Sequence, residues 1–294
     1  MMQGARGHAC HFGKLFYSEH GSNINPDVRL MSRVFREEGG SLPALPAAKF
    51  QNSSKVAMQQ CLWFIIPFMD IIYKDEQILI INKPAGLSVL PEGWEPDAPY
   101  LVKTLEEEYE KIWVVHRLDK FTSGAIIFAL TADAHRSLNI QFEKHETEKV
   151  YRAITVGAPP WKERITKFPL RVNVGHKHRT MVDDKNGLRS ETHFKVLNWI
   201  QISPELAEGT ALVEARPMTG RTHQIRVHAY ALGYPLLGDT LYSAPETNII
   251  TRPALHAHSL TFNHPVSNER VSFTAPYPAD FKKALERLKL NVQH

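Results

Sequence analysis

Cysteine is almost missing from this chain. Only Cys10 and Cys61 occur in 294 residues, and they form no spaced pair that could staple a fold or hold zinc. This argues against a disulfide scaffold and fits a reducing compartment, so a cytoplasmic location is expected. Long hydrophobic runs are missing too. The most apolar stretch, CLWFIIPFMDII at 61–72, is too short to span a bilayer and carries Asp70. It also follows about sixty polar and mixed residues, the wrong place for a signal peptide. No membrane partner is expected. Neither G-x-G-x-x-G nor G-x-x-x-x-G-K-[ST] is present, which removes support for the usual dinucleotide and P-loop sites. Fifteen histidines occur without an H-E-x-x-H pattern, and the closest group, His256, His258 and His264, has no cysteine nearby. Those three read as core or surface residues. No metal and no cofactor is expected.

What is present fits a globular protein. Hydrophobic residues make up 43% of the chain, and the net charge of +4 leans towards polyanionic partners. Residues 1–60 hold stretches rich in Gly, Pro, Ser and Asn, and 1–69 reads as a loosely ordered extension. From Asp70 the pattern tightens. Two strands flank a turn at Lys74–Gln77, a helix follows over 101–111, and WVVH and GAIIFAL read as buried strands. A helix capped by Thr131 carries Ala134, Leu138 and Phe142 inwards, and KVYRAITVGA returns to a strand. ALVEARP is another strand. The segment after it turns helical through Ile225, Ala229 and Leu232, with Thr222 as its expected cap and Gly233 as its stop. LHAHSLTF, RVSFTAP and a helix at DFKKALERLKL close the core. The expected fold is a mixed α/β (α+β) body over 70–285 with a short tail at 286–294.

Four clusters can carry chemistry. The first is VVHRLDKFTSG at 114–124, which sets Asp119 directly after an apolar strand. This carboxylate reads either as a turn cap paired with Arg117 or as a rigidly held nucleophile or base. Gly124 permits close approach of a ligand or backbone. The second is TGRTHQIRVH at 219–228, whose Arg221 and Arg226 fit phosphate or carboxylate contacts. His223 and His228 are five apart, so they do not share a helical face as a metal pair would, and they read as packing residues. The third is EKVYRA at 148–153, where Lys149 and Tyr151 point to one side of a strand. Tyr151 reads as an ordinary aromatic, or as a platform for a flat ring with a hydroxyl able to handle a proton. The fourth is a basic, loop-like band over 161–191, with eight cations against four acids. It is either a solvated surface or a track for RNA phosphates, with Lys162, Arg164, Lys167, Arg171, Lys177 and Arg179 as contacts.

Taken together, these motifs resemble the RluA-type RNA pseudouridine synthases in a short form without an S4 domain. The resemblance runs in order through INKPAGLSVLP at 81–91, HRLDKFTSG at 116–124, EKVYRA at 148–153, RPMTGRTHQIRVHAYALGYPLLGD at 216–239 and LHAHSLTFNHP at 255–265. It implies a central mixed, largely antiparallel sheet with flanking helices and an RNA-binding cleft. It also implies isomerisation of uridine in RNA, with Asp119 essential, Arg221 paired to its carboxylate and Tyr151 against the uracil. His116, Arg117, Lys149, Thr219, Gly220 and Leu255 would bind the nucleotide, and Arg226 would join the phosphate contacts. Lys120-Phe121 stands where the family often has Arg-Asp. YSAPE at 242–246 leans towards members acting on 23S rRNA and some tRNA. A monomer without an obligate protein partner is expected.

Overall fold

The computed structural model describes residues 70–93, 98–175, 179–201 and 209–290. The extension expected at 1–69 lies outside them, as do Lys177 and residues 291–294.

Twelve strands and four α-helices are described. The strands are β1 (Asp70–Lys74), β2 (Ile78–Lys83), β3 (Trp113–Val114), β4 (Ser123–Ala129), β5 (Glu148–Val156) and β6 (Glu163–Thr166) in the first half. The second half holds β7 (Leu170–Val174), β8 (Arg179–Val182), β9 (Thr192–Ile200), β10 (Thr210–Pro217), β11 (Leu255–Asn263) and β12 (Arg270–Thr274). The helices are α1 (Leu101–Glu106), α2 (Ala132–Glu143), α3 (Gln224–Ala231) and α4 (Ala279–Arg287). Ten strands form one sheet in the order β1-β2-β4-β11-β5-β10-β9-β6, with β12 beside β11 and β3 beside β4. β7 and β8 form a separate hairpin. Within the large sheet, β4 and β11 pair in parallel and the other neighbours antiparallel. This is the mixed, largely antiparallel α/β architecture expected.

Both faces of the sheet centre are covered, which explains the continuous apolar runs in β2 and β4. Side chains alternate along a strand. Leu79, Ile81, Ile126 and Phe128 pack with Leu101 and Leu105 of α1 on one face, while Ile78, Ile80, Ala125 and Ile127 meet Ala134 and Leu138 of α2 on the other. Thr131 caps α2 as expected, its hydroxyl accepting from Ala134 N at 3.2 Å. At the other end of the sheet, Ile154 and Leu212 pack against Phe281, Ala284 and Leu285 of α4.

Several sequence expectations need correction. α1 ends at Glu106 rather than 111. Glu106, Glu107, Glu108 and Glu110 crowd the end where exposed carbonyls disfavour anions. The basic band at 161–191 is not a loop but strand β6 followed by the β7–β8 hairpin. Thr222 does not cap α3. That position belongs to His223, held at φ 55°. Gly233 does stop α3, with φ +87°. The tail expected from 286 starts later, because Leu288 and Leu290 are buried in the α4 cluster.

The parallel β4–β11 junction depends on Gly124. Its φ is +115°, and a Cβ there would lie 2.1 Å from Ala257 O on β11. The close approach foreseen at this residue is therefore one between two backbones. It fixes the start of β4, and with it the turn that carries Asp119.

Candidate active site

Asp119 lies in the turn between β3 and β4, where Thr122 N donates to its carbonyl at 3.0 Å. Both flanks of the turn are pinned from below. The Lys120 carbonyl accepts from Gly86 N at 2.8 Å and from the buried Lys83 ammonium at 3.1 Å. Lys83 Nζ also donates to the Pro84 and Leu87 carbonyls, each at 2.8 Å, which ties the KPAGL turn to the Asp119 turn. Burial lowers the Lys83 pKa to about 7; the Arg252 cation lowers it further and the Asp119 charge opposes both. On the other flank, the Arg252 guanidinium donates to Phe121 O at 3.1 Å while holding Asp280 at 2.7 and 3.0 Å. Asp119 is thus presented by a backbone with little freedom to move.

A cavity of about 280 Å³ opens over this carboxylate, close to the lower end of ligand-pocket sizes of roughly 300–1,000 Å³. Asp119, Tyr151 and Arg221 all line it. So do His116, Arg117, Lys149, Thr219, Gly220 and Leu255. Tyr151 and Lys149 come from one face of β5, and Leu255 opens β11 beside it, paired with Ala153. Burial first, and then the Asp119 charge, raises the Tyr151 phenol pKa. The phenol therefore stays protonated near neutral pH. Burial pushes the Lys149 ammonium pKa down, and no ion pair to it exists among the described residues. Its Nζ lies 5.9 Å from the Phe142 ring centroid. His116 stacks on that same ring at 4.7 Å, and its Nε2 accepts from Ile127 N at 3.2 Å. Burial and the Lys149 charge lower its pKa to about 3, so the ring is neutral.

The third wall is the loop from β10 to α3, and Gln224 organises it. Its Oε1 accepts from the Thr219 hydroxyl at 2.7 Å and from Arg221 N at 3.1 Å. Its Nε2 donates to Glu191 O and to Thr192 Oγ1, at 2.9 and 3.0 Å. At Gly220 a Cβ would meet nothing within 4 Å, so open space faces this residue.

One sequence expectation fails here. Arg221 lines the cavity but does not pair with Asp119; its Nε donates to the Arg189 carbonyl at 3.4 Å. Among the described residues, the basic nitrogen within 4.0 Å of the Asp119 carboxylate is Nε2 of His223. His223 had been read as a packing residue, and its place two residues after Arg221 was the signal available. Phe142, His145 and Gln224 also line the cavity and were not singled out. His228 does pack internally, bonded to Ser190, Thr192 and Phe168.

The cations expected on RNA phosphates separate into two groups. Lys162 and Arg164 are exposed at β6, and Arg179 lies over the Tyr242 ring at 5.4 Å. Lys167 pairs with Glu191 and Arg171 with Asp183, both on the surface. Arg226 must be removed from the phosphate-contact group. It is buried and holds Asp239 through two bonds of 2.6 and 2.7 Å, which leaves little of it for a phosphate.

Among the described residues, Asp119 is the one carboxylate lining this cavity. Two-carboxylate glycoside hydrolysis wants a second one on the opposite side of the bond, so that chemistry lacks a partner here. What the arrangement offers is one carboxylate, a protonated phenol, an unpaired ammonium and a flat apolar wall around a space open to solvent.

Comparison with known proteins agrees with the motif reading. The family model for RNA pseudouridylate synthase matches residues 77–231. The dual-specificity RNA pseudouridine synthase RluA of Escherichia coli is 37% identical over 216 residues, covering 73% of this chain and 95% of that protein. An uncharacterized RNA pseudouridine synthase of Synechocystis sp. is 36% identical over 236 residues, covering 76% of this chain and 70% of its own. Among solved structures, human RNA pseudouridylate synthase domain containing 4 superposes with a TM-score of 0.64 at 26% identity, covering 80% of this chain and all of that one. Human RNA pseudouridylate synthase domain containing 1 follows at 0.60 and 26%, covering 77% of this chain and 96% of its own. The chain belongs to the RNA pseudouridine synthase family.

Proposed function

We propose that this enzyme isomerises selected uridines in structured rRNA, tRNA or both, with Asp119 as its indispensable group. The supporting observation is convergence: eight residues drawn from separate sequence motifs surround the Asp119 carboxylate in a single cavity. The reaction breaks the bond between N1 and the ribose C1′, turns the detached uracil and joins C5 to C1′. A proton leaves C5 and one is gained at N1, so no atom is lost overall. That balance calls for no redox partner. Asp119 is placed to act at the sugar or the base, while Tyr151 supplies a flat surface and a neutral hydroxyl against the ring. Lys149 and Arg221 are cations for the uracil carbonyls or the adjacent phosphate. Arg117, exposed at the rim, holds the extruded nucleotide out of its stack, offsetting an unstacking cost of a few kcal/mol.

The rRNA and tRNA assignment follows the dual-specificity relative and the YSAPE segment. The catalytic unit is residues 70–290, acting as a cytoplasmic monomer without an obligate protein partner. No helix of the described residues is long and apolar enough to cross a membrane. Mapping pseudouridines in cellular rRNA and tRNA, with and without the gene, tests the assignment. Identical maps in both strains would refute it.

A further inference from the structure

A second cavity, of about 750 Å³, opens on the other side of the Asp119 turn. It shares Arg117, Leu118, Asp119, His223 and Arg226 with the first, so a strand entering one leads directly into the other. Its remaining walls mix polar groups such as Asn173, Thr222 and Thr251 with apolar ones such as Val89, Leu241 and Pro253. Two large apolar side chains of that lining are left exposed: Phe121 at 48% and Leu90 at 39%. Burying an aromatic ring is strongly favourable, so one left exposed in a concave site beside a reactive centre points to a ligand with a flat face. The ring rises from a fixed base, because Arg252 holds the Phe121 carbonyl and Lys83 holds that of Lys120.

Charge narrows the ligand class. Arg226 is committed to Asp239, Arg252 to Asp280 and Lys120 to Glu92. Arg117 is exposed and has no ion pair among the described residues. It stands on the edge common to both cavities. An exposed guanidinium between two cavities, without an ion pair among the described residues and with an exposed ring in the second cavity, matches a phosphate linking two nucleotides.

We propose that the second cavity receives the nucleotide next to the target uridine in the same RNA strand. Its base stacks on Phe121, and the phosphate joining the two nucleotides sits on Arg117. This rests on the proposed RNA substrate and adds a strand-positioning contact at a position where this chain departs from its family's common Arg-Asp. Any base presents a π face, so the subsite demands a flat ring and is tolerant of its identity.

The test combines protein and RNA changes in a short RNA that the wild-type enzyme modifies. Abasic residues replace the nucleotide on the 5′ or the 3′ side of the target, and kcat/KM is measured for wild type, Phe121→Ala and Phe121→Trp. One abasic position is expected to cost the wild-type enzyme about 5- to 150-fold, the range for one stacked base. Phe121→Ala is expected to lose a similar factor on intact RNA and then to be indifferent to that abasic residue. Phe121→Trp restores both the rate and the sensitivity. Equal abasic penalties in wild type and Phe121→Ala, or no penalty at either neighbour, would overturn the inference. A wild-type enzyme that forms no pseudouridine in any RNA would instead overturn the functional reading on which it rests.

Discussion

His223 bridges Asp119 and Tyr242: its Nε2 lies 4.0 Å from Asp119 Oδ2, and its Nδ1 lies 3.0 Å from the Tyr242 hydroxyl. Tyr242 is buried, and its oxygen accepts from Thr180 N on β8 at 3.0 Å. The hairpin, the tyrosine, the histidine and the carboxylate therefore form one chain of contacts. Tyr242→Phe leaves the Thr180 amide without its partner in a buried site, which costs about 1–3 kcal/mol. Denaturant unfolding is expected to show that loss. Single-turnover kinetics are expected to show kcat falling more than KM rises, because the ring facing Asp119 loses its anchor. Unchanged stability together with unchanged kcat would refute the link.

Gly124 sets the geometry beneath the site. Gly124→Ala puts a methyl into the Ala257 backbone and holds alanine at a φ it rarely adopts. Backbone strain alone is expected to cost about 1–3 kcal/mol, and thermal unfolding measures it. Activity is expected to fall further than stability does, because the Asp119 turn leads directly into this residue. A variant of wild-type stability would contradict the close approach of β4 and β11.

The cations divide by role, and substitution can separate them. Arg226→Met leaves Asp239 charged and buried without a partner, a loss of about 3–5 kcal/mol in unfolding experiments. Lys162→Ala with Arg164→Ala is expected to spare the fold and weaken binding to many RNAs alike. Each lost phosphate contact makes the log–log dependence of affinity on salt shallower by about 0.7–0.9. An unchanged slope would remove β6 from the RNA-binding surface.

Acid is expected to destabilise the fold in a window set by its histidines. Burial lowers the pKa of His116 and of His256 to about 3, and it also lowers those of His223 and His228. A base with a depressed folded-state pKa favours folding above its unfolded value of about 6.5. That contribution is lost progressively as pH falls below this value towards the folded pKa. The melting temperature is therefore expected to decline between about pH 6.5 and 4.5, before paired carboxylates such as Glu214 and Asp75 begin to protonate. A flat profile over that range would contradict the burial of neutral imidazoles.

Some of this was legible in the sequence and some could not be. The continuous apolar runs of β2 and β4, the Thr131 cap and the Gly233 stop follow from local periodicity and turn chemistry, and all are found in place. Asp119, Tyr151 and the 219–221 loop could be grouped only through the family resemblance, since nothing local says that β5 and β10 flank β4 through β11. Arg226 was misread because its partner, Asp239, lies 13 residues away beyond a turn that periodicity cannot fold back. His223 was passed over because a lone histidine at a helix start more often packs than acts. The Arg221–Asp119 pairing failed for a related reason: sequence order placed both at the site but could not aim the guanidinium, which turns to Arg189.

The central claim is that Asp119 carries the chemistry, and Asp119→Asn tests it most directly. The substitution keeps the size and much of the hydrogen bonding of the side chain while removing its charge. The account predicts that pseudouridine formation in an RNA modified by the wild-type enzyme, read by chemical mapping, becomes undetectable while RNA affinity and melting temperature stay close to wild type. Turnover within tenfold of wild type would contradict it.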